Sequence, residues 1–119
     1  MSYFGEALMC KCMDFSIRIV KLYKYLTEEK REFVLSNQLL RSGTSIGANL
    51  AEAQSAISKN DFIAKAYISL KESNESLYWI KLLYKTEYIN KEEYNSLLHD
   101  CNELKSLFVS ITKKMTTEK

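Results

Sequence analysis

The chain contains no proline and only three glycines, at positions 5, 43 and 47. A β-rich domain needs turn punctuation about every 8–12 residues, so this scarcity excludes one and leaves long helices joined by short connections. Histidine is nearly absent as well, His99 being the sole copy. Cys10, Cys12 and Cys101 form no CxxC. On a helix Cys10 and Cys12 point about 200° apart, too far to share a metal, and all three are expected to be buried, reduced thiols. No apolar run approaches membrane-span length and the opening residues lack a signal-peptide pattern, so a cytoplasmic protein is expected. Excess charge of one sign is missing too: the formal net charge is +2, which permits a local nucleic-acid patch without demanding one. What is present is ordinary for a folded protein, 46% hydrophobic and 27% charged over 119 residues, and it is read as one domain, 1–119.

The apolar residues recur at helical spacing. Leu8, Cys12, Phe15, Ile19, Leu22 and Leu26 form a single stripe on a helix over about 4–26. A second helix, about 28–57, opens with Thr27 as cap and Glu28 and Glu29 in its first turn. It carries Leu35, Leu39, Ile46, Leu50, Ala53 and Ile57. Ser58 followed by Asp61 is a start signal for a third helix, about 59–86, with Phe62, Ala66, Leu70, Ser73, Leu77, Ile80 and Tyr84 on its core face. Asn90 followed by Glu93 opens a fourth, about 91–115, through Tyr94, Leu97, Cys101, Leu104, Phe108, Ile111 and Met115. Short connections favour antiparallel neighbours, so the fold expected is all-α, an up-down-up-down antiparallel four-helix bundle.

Three helices also carry apolar residues away from their stripes, where a monomer should be charged. They are Met9, Met13, Ile17 and Val20 on helix one, Ala48 on the back of helix two, and Ile68, Trp79 and Leu82 on helix three. Together they point to a buried subunit surface, and a homo-oligomer is expected.

Catalytic chemistry finds no support. "GTSIG" has neither the spacing of a phosphate loop nor a following lysine, and no strand precedes it. Ser42 and Ser45 lie on one helix and His99, beside Asp100, reads as a surface residue on another. The carboxylates form no Glu-x-x-His pair of the di-iron kind. No enzyme activity, cofactor, metal or small-molecule substrate is therefore expected. Basic residues are the remaining lead. Lys11, Arg18, Lys21 and Lys24 on helix one, near Tyr25, and Arg41 on helix two form a candidate strip for RNA or DNA.

The segment "RSGTSIGANLAEA", residues 41–53, remains. With Ile46 at the core centre, Gly43 and Gly47 lie about 60° and 100° to one side, and Ser42, Ser45 and Asn49 lie to the other. Each interior glycine costs roughly 1 kcal/mol against alanine. A close approach of another helix would offset that cost, with Gln38, Ser45 and Asn49 satisfying one another or a neighbour's polar groups.

The stretches "SNQLLRSGTSIGANLAEAQSA" and "NDFIAKAYISLKESNESLYWIKLLYKTEYI" resemble the four-helix-bundle proteins encoded in intervening sequences of bacterial 23S ribosomal RNA genes. The resemblance is carried by Gln38, Arg41, Ser42, Gly43, Ser45, Ile46, Asn49, Ala51 and Glu52. It continues through Phe62, Ala66, Ser69, Leu70, Glu75 and Leu77 to Tyr88 and Ile89. It implies a homopentameric barrel of bundles. The accessory variability proteins of diversity-generating retroelements are similar and work with a reverse transcriptase and nucleic acid, which implies an accessory role on RNA or DNA. The alternative is a scaffold that binds protein only. Two positions depart from the family pattern, which has glycine where this chain has Ala53 and Glu87.

Overall fold

The computed structural model describes residues 5–117. They form α1 (Gly5–Glu28), α2 (Leu35–Ala53), α3 (Lys59–Lys85) and α4 (Lys91–Thr117), with no strand among the described residues. Residue 4, where the first helix was expected to open, lies outside them. Cross-helix pairs settle the topology. Ser42 and Ile46 of α2 meet Ser76 and Ser69 of α3, in reverse order. Ser73 and Tyr84 of α3 likewise meet Cys101 and Tyr94 of α4, while Lys11 and Arg18 of α1 reach Glu103 and Asp100. Each neighbouring pair is antiparallel, and the up-down-up-down bundle is a rod of 49 × 21 × 21 Å. The seam between α1 and α4 is the most sparsely packed of the four.

The stripes of α1 and α4 are buried as their spacing predicts, except that Tyr94 is half-buried. In α3 five of the seven expected core residues, Phe62, Ala66, Ser73, Leu77 and Ile80, are buried, and Ser69, Ser76 and Leu83 join them. Leu70 and Tyr84 sit on the flank of this row, half-buried. Three serines in the innermost row lower its hydropathy, so the pattern alone shifts the apparent stripe towards the leucines. Their small volume is what lets α2 and α4 pack close on either side.

The start of α2 differs from expectation by seven residues. Thr27 does not cap it: its hydroxyl donates to the Tyr23 carbonyl, 2.9 Å away, and belongs to the last turns of α1. Arg31 then takes a left-handed backbone conformation, φ 56°. The buried carboxylate of Glu32 accepts the N–H groups of Val34, Leu35 and Ser36 at 3.1, 2.9 and 2.7 Å. A glutamate thereby does the work of an N-terminal cap, using negative charge at the positive end of the helix. At its other end α2 stops at Ala53 rather than 57, and Ile57 is 94% exposed instead of lying in the core. The start signals of α3 and α4 hold: Ser58 Oγ accepts from Asp61 N–H at 3.0 Å, and Asn90 Oδ1 from Glu93 N–H at 2.8 Å.

Candidate assembly and nucleic-acid surfaces

The segment 41–53 serves two seams at once. Gly43 and Gly47 face α1, where a Cβ would lie 3.0 Å from Ile19 Cγ1 or from Cys12 Cβ respectively. The opposite flank faces α3 through polar contacts. Ser76 Oγ donates to Ser42 Oγ at 2.9 Å, and Ser69 Oγ donates to the Ile46 carbonyl at 2.8 Å, all of it buried. At the rim Arg41 reaches both carboxylate oxygens of Glu72 at 3.3 Å and pairs with Glu75, which also accepts from Trp79 Nε1 at 3.0 Å. The Glu75 bond raises the Arg41 pKa, and Arg41, followed by Trp79, holds Glu75 below the usual carboxylate range. Further along, Lys65 pairs with Glu52 at 2.9 Å. Gln38, Ser45 and Asn49 do not bridge helices: Asn49 Nδ2 donates to the Ser45 carbonyl and Ser45 Oγ to the Arg41 carbonyl, while Gln38 is exposed. Register is carried by serines 42, 69 and 76. Sequence reasoning passed over the last two as register residues, although 69 and 76 share a helical face at seven-residue spacing.

The basic strip is largely neutralised. Lys11 pairs with Glu103 at 3.1 Å. Arg18 holds Asp100 at 2.7 Å and Glu93 at 3.3 Å, with a further bond to Ser96 Oγ at 2.9 Å. Arg41 is spent on α3. Lys21 and Lys24 alone of the five are exposed without an ion pair. The acids responsible come from other helices, so helix one's own composition did not reveal them.

The apolar flank of α1 is open. Met13, Ile17 and Val20 are 56%, 44% and 37% exposed, Met9 is half-buried, and Ala48 of α2 is exposed. Met9, Met13 and Val20 share the flank of α1 that turns towards α2, whose own back carries no charge between Arg41 and Glu52. On α3, Ile68, Trp79 and Leu82 are half-buried and share the flank of Glu75. Burial pushes the thiols of Cys12 and Cys101 up to about 12. Cys10, expected inside, is exposed on the back of α1. His99 is exposed, and no group of three metal-ligating side chains converges among the described residues.

The family model described as 23S rRNA-intervening sequence protein matches residues 7–110. Among solved structures, the chain is similar to a protein of unknown function from the S23 ribosomal protein family of Bacteroides thetaiotaomicron. The two share 52% identity and a TM-score of 0.88, over 90% of this chain and 96% of that one. A comparison with curated proteins gave no match.

Proposed function

We propose that this chain, which belongs to the 23S rRNA-intervening sequence protein family, is a non-enzymatic, self-assembling bundle that acts as an accessory to nucleic acid. The observation that carries the reading is the open face of α1 and α2. Three large apolar side chains, each more than a third exposed, stand on one helix beside an uncharged helix back. Contiguous apolar surface of that kind is characteristic of an assembly face. The family resemblance supplies the expected number of copies, five. A non-catalytic role is supported by the core serines, whose hydroxyls are taken up by one another and by backbone carbonyls rather than aimed into a cleft.

The test is mass in solution by light scattering, together with the salt-dependent nucleic-acid content of freshly purified protein. The expected result is a discrete oligomer that dissociates on Met13→Glu/Ile17→Glu. A stable monomer at micromolar concentration would remove the assembly reading. Salt-sensitive retention of nucleic acid is expected as well, and its absence would remove the nucleic-acid reading. One observation favours a second reading, a scaffold for protein alone: three of the five cations on the α1–α2 strip are held by carboxylates. That reading predicts salt-tolerant capture of a protein partner, abolished by Trp79→Glu while the oligomer stays intact.

A further inference from the structure

The carboxylates of this bundle are sorted by seam. Those of α4 that pair, Glu93, Asp100 and Glu103, all face α1. Glu72 and Glu75 of α3 face α2. By helical position the remaining acids also lie elsewhere, Asp61 on the flank of Glu72 and Glu92 on that of Glu103, so the outer face between α3 and α4 holds no acid along the helices. On α3, Tyr67, Lys71, Asn74, Tyr78, Lys81 and Lys85 follow at steps of three and four, one ridge on a helix. On α4, Lys91, Leu98, Asn102, Lys105, Val109 and Lys113 make the facing ridge, next to the row in which Tyr94 stacks on Tyr84 and Cys101 bonds to Ser73. None of the six lysines forms an ion pair, and five are exposed, with Lys105 half-buried. Glu87 lies in the turn beyond Lys85, at the end of this face.

From Lys85 and Lys91 at one end to Lys113 at the other, the face runs about 33 Å along the helices. Lys71 feels Glu75 through space without pairing to it; the six like charges otherwise repel one another, so this arrangement costs stability unless an anion covers it. The tyrosines indicate which anion. Tyr67 and Tyr78 are 47% and 60% exposed. Tyr78 meets Trp79 edge-on, ring centroids 5.0 Å apart, and Tyr67 walls a cleft of about 460 Å³ between the two helices with Ile63 and Met115. Cations that track a backbone, interleaved with aromatic faces, suit a single strand whose bases stack. A membrane surface would want a continuous apolar face to insert, and this ridge offers only half-buried Leu98 and Val109, 38% exposed, set among its lysines.

We propose that the α3–α4 face, rather than the α1 strip, is where this protein holds a nucleic-acid strand with unpaired bases; this rests on the nucleic-acid reading above. Fluorescence anisotropy of the full chain with a labelled single-stranded RNA tests it, with the matching DNA strand, an RNA duplex and phosphatidylserine vesicles as further arms. Lys71→Gln/Lys81→Gln/Lys105→Gln is expected to weaken strand binding at least tenfold. It should also reduce the log–log salt slope from about −4 to about −2, as three of six phosphate contacts are lost. Lys21→Gln/Lys24→Gln should change neither quantity. Tyr67→Leu/Tyr78→Leu should weaken the single strand about tenfold and leave the duplex unchanged. Circular dichroism and light scattering confirm that each variant keeps its fold and mass. If the α3–α4 variant binds as wild type while the α1 variant is weakened, the surface is misassigned and the nucleic-acid reading stands. Wild type bound to vesicles and to no nucleic acid overturns the surface, and the nucleic-acid reading with it. Equal losses on duplex and single strand for the tyrosine variant overturn the stacking role.

Discussion

Adding one methyl group at Gly47 or Gly43 tests the packing of the α1–α2 seam. A Cβ at Gly47 would stand 3.0 Å from Cys12 Cβ, and one at Gly43 would stand 3.0 and 3.1 Å from Cγ1 and Cγ2 of Ile19. Non-bonded carbons rest at about 3.5–4.0 Å, so both positions are short by roughly half an ångström. Neither neighbour can swing aside: Cys12 Cβ is fixed to its backbone, and a β-branched side chain in a helix is held to one rotamer. The helices must move apart. Alanine gains about 1 kcal/mol of helix propensity and overpacking costs about 1–3 kcal/mol. Either alanine should therefore be neutral to about 2 kcal/mol destabilising, lowering Tm by roughly 3–5 °C per kcal/mol.

Urea unfolding at fixed protein concentration reads the effect, and a second substitution gives it a signature. Ile19→Ala removes both offending γ-carbons and leaves its Cβ at an ordinary 3.5 Å from the new methyl. In that background Gly43→Ala should become stabilising, with a coupling of about 1–3 kcal/mol. Cys12→Ala keeps the offending Cβ, so it should not rescue Gly47→Ala. Two results refute the account: a gain in stability from either alanine in the wild-type background, or rescue of Gly47→Ala by Cys12→Ala.

Glu87 occupies a left-handed position, φ 69°, at the end of α3, where Glu87 N–H bonds to Tyr84 and Tyr88 N–H to Leu83. Glu87→Gly relieves that strain and is expected to raise the urea midpoint by about 0.5–1 kcal/mol equivalent; a lower midpoint would show that the glutamate side chain contributes something unaccounted for. Thiol titration with an aromatic disulfide at pH 8 should label Cys10 quickly and leave Cys12 and Cys101 until the chain unfolds, since burial holds both near 12. Three fast thiols would contradict the core. Glu75 has a lowered pKa through Arg41 and Trp79, so its contribution is present above the usual carboxylate value and is lost as pH falls through the folded value. Glu75→Gln should lower stability at pH 7 and narrow the gap to wild type at about pH 3; an equal gap at both would count against the pairing.

Much of the bundle was legible because its apolar rows are regular and its two later caps use ordinary residues. What was missed has physical causes. Glu32 caps α2 from a residue type that rarely caps, after a left-handed turn that no glycine announces. Part of the innermost row of α3 is hidden because serines 69 and 76 carry too little hydropathy to mark a core, whereas Ser73 falls in step with the apolar spacing. Glu87 is the instructive exception. Resemblance alone flagged it as standing where glycine is usual, and the positive φ supplies the reason.

The surface charges show a deeper limit. Lys11 and Arg18 looked like a basic strip because the acids that answer them lie 75–92 positions away, on α4. Lysines 71, 81, 85, 91, 105 and 113 did not look like a patch, because acids alternate with them along both helices. Sequence order mixes the flanks of a helix, and packing separates them. Once α4 turns its pairing acids to α1 and α3 turns two of its own to α2, the remaining flanks are left with lysine and tyrosine. Neither helix's own charge balance reports this, since acids and bases are mixed along each, three acids with five lysines on α3 and four with four on α4. Only the choice of neighbours converts them into one neutralised seam and one cationic face. Exchanging Glu103 and Lys105 in one variant would hold composition and net charge constant while moving an acid onto that face. Strand binding should weaken if placement is what matters, and unchanged affinity would mean that net charge suffices.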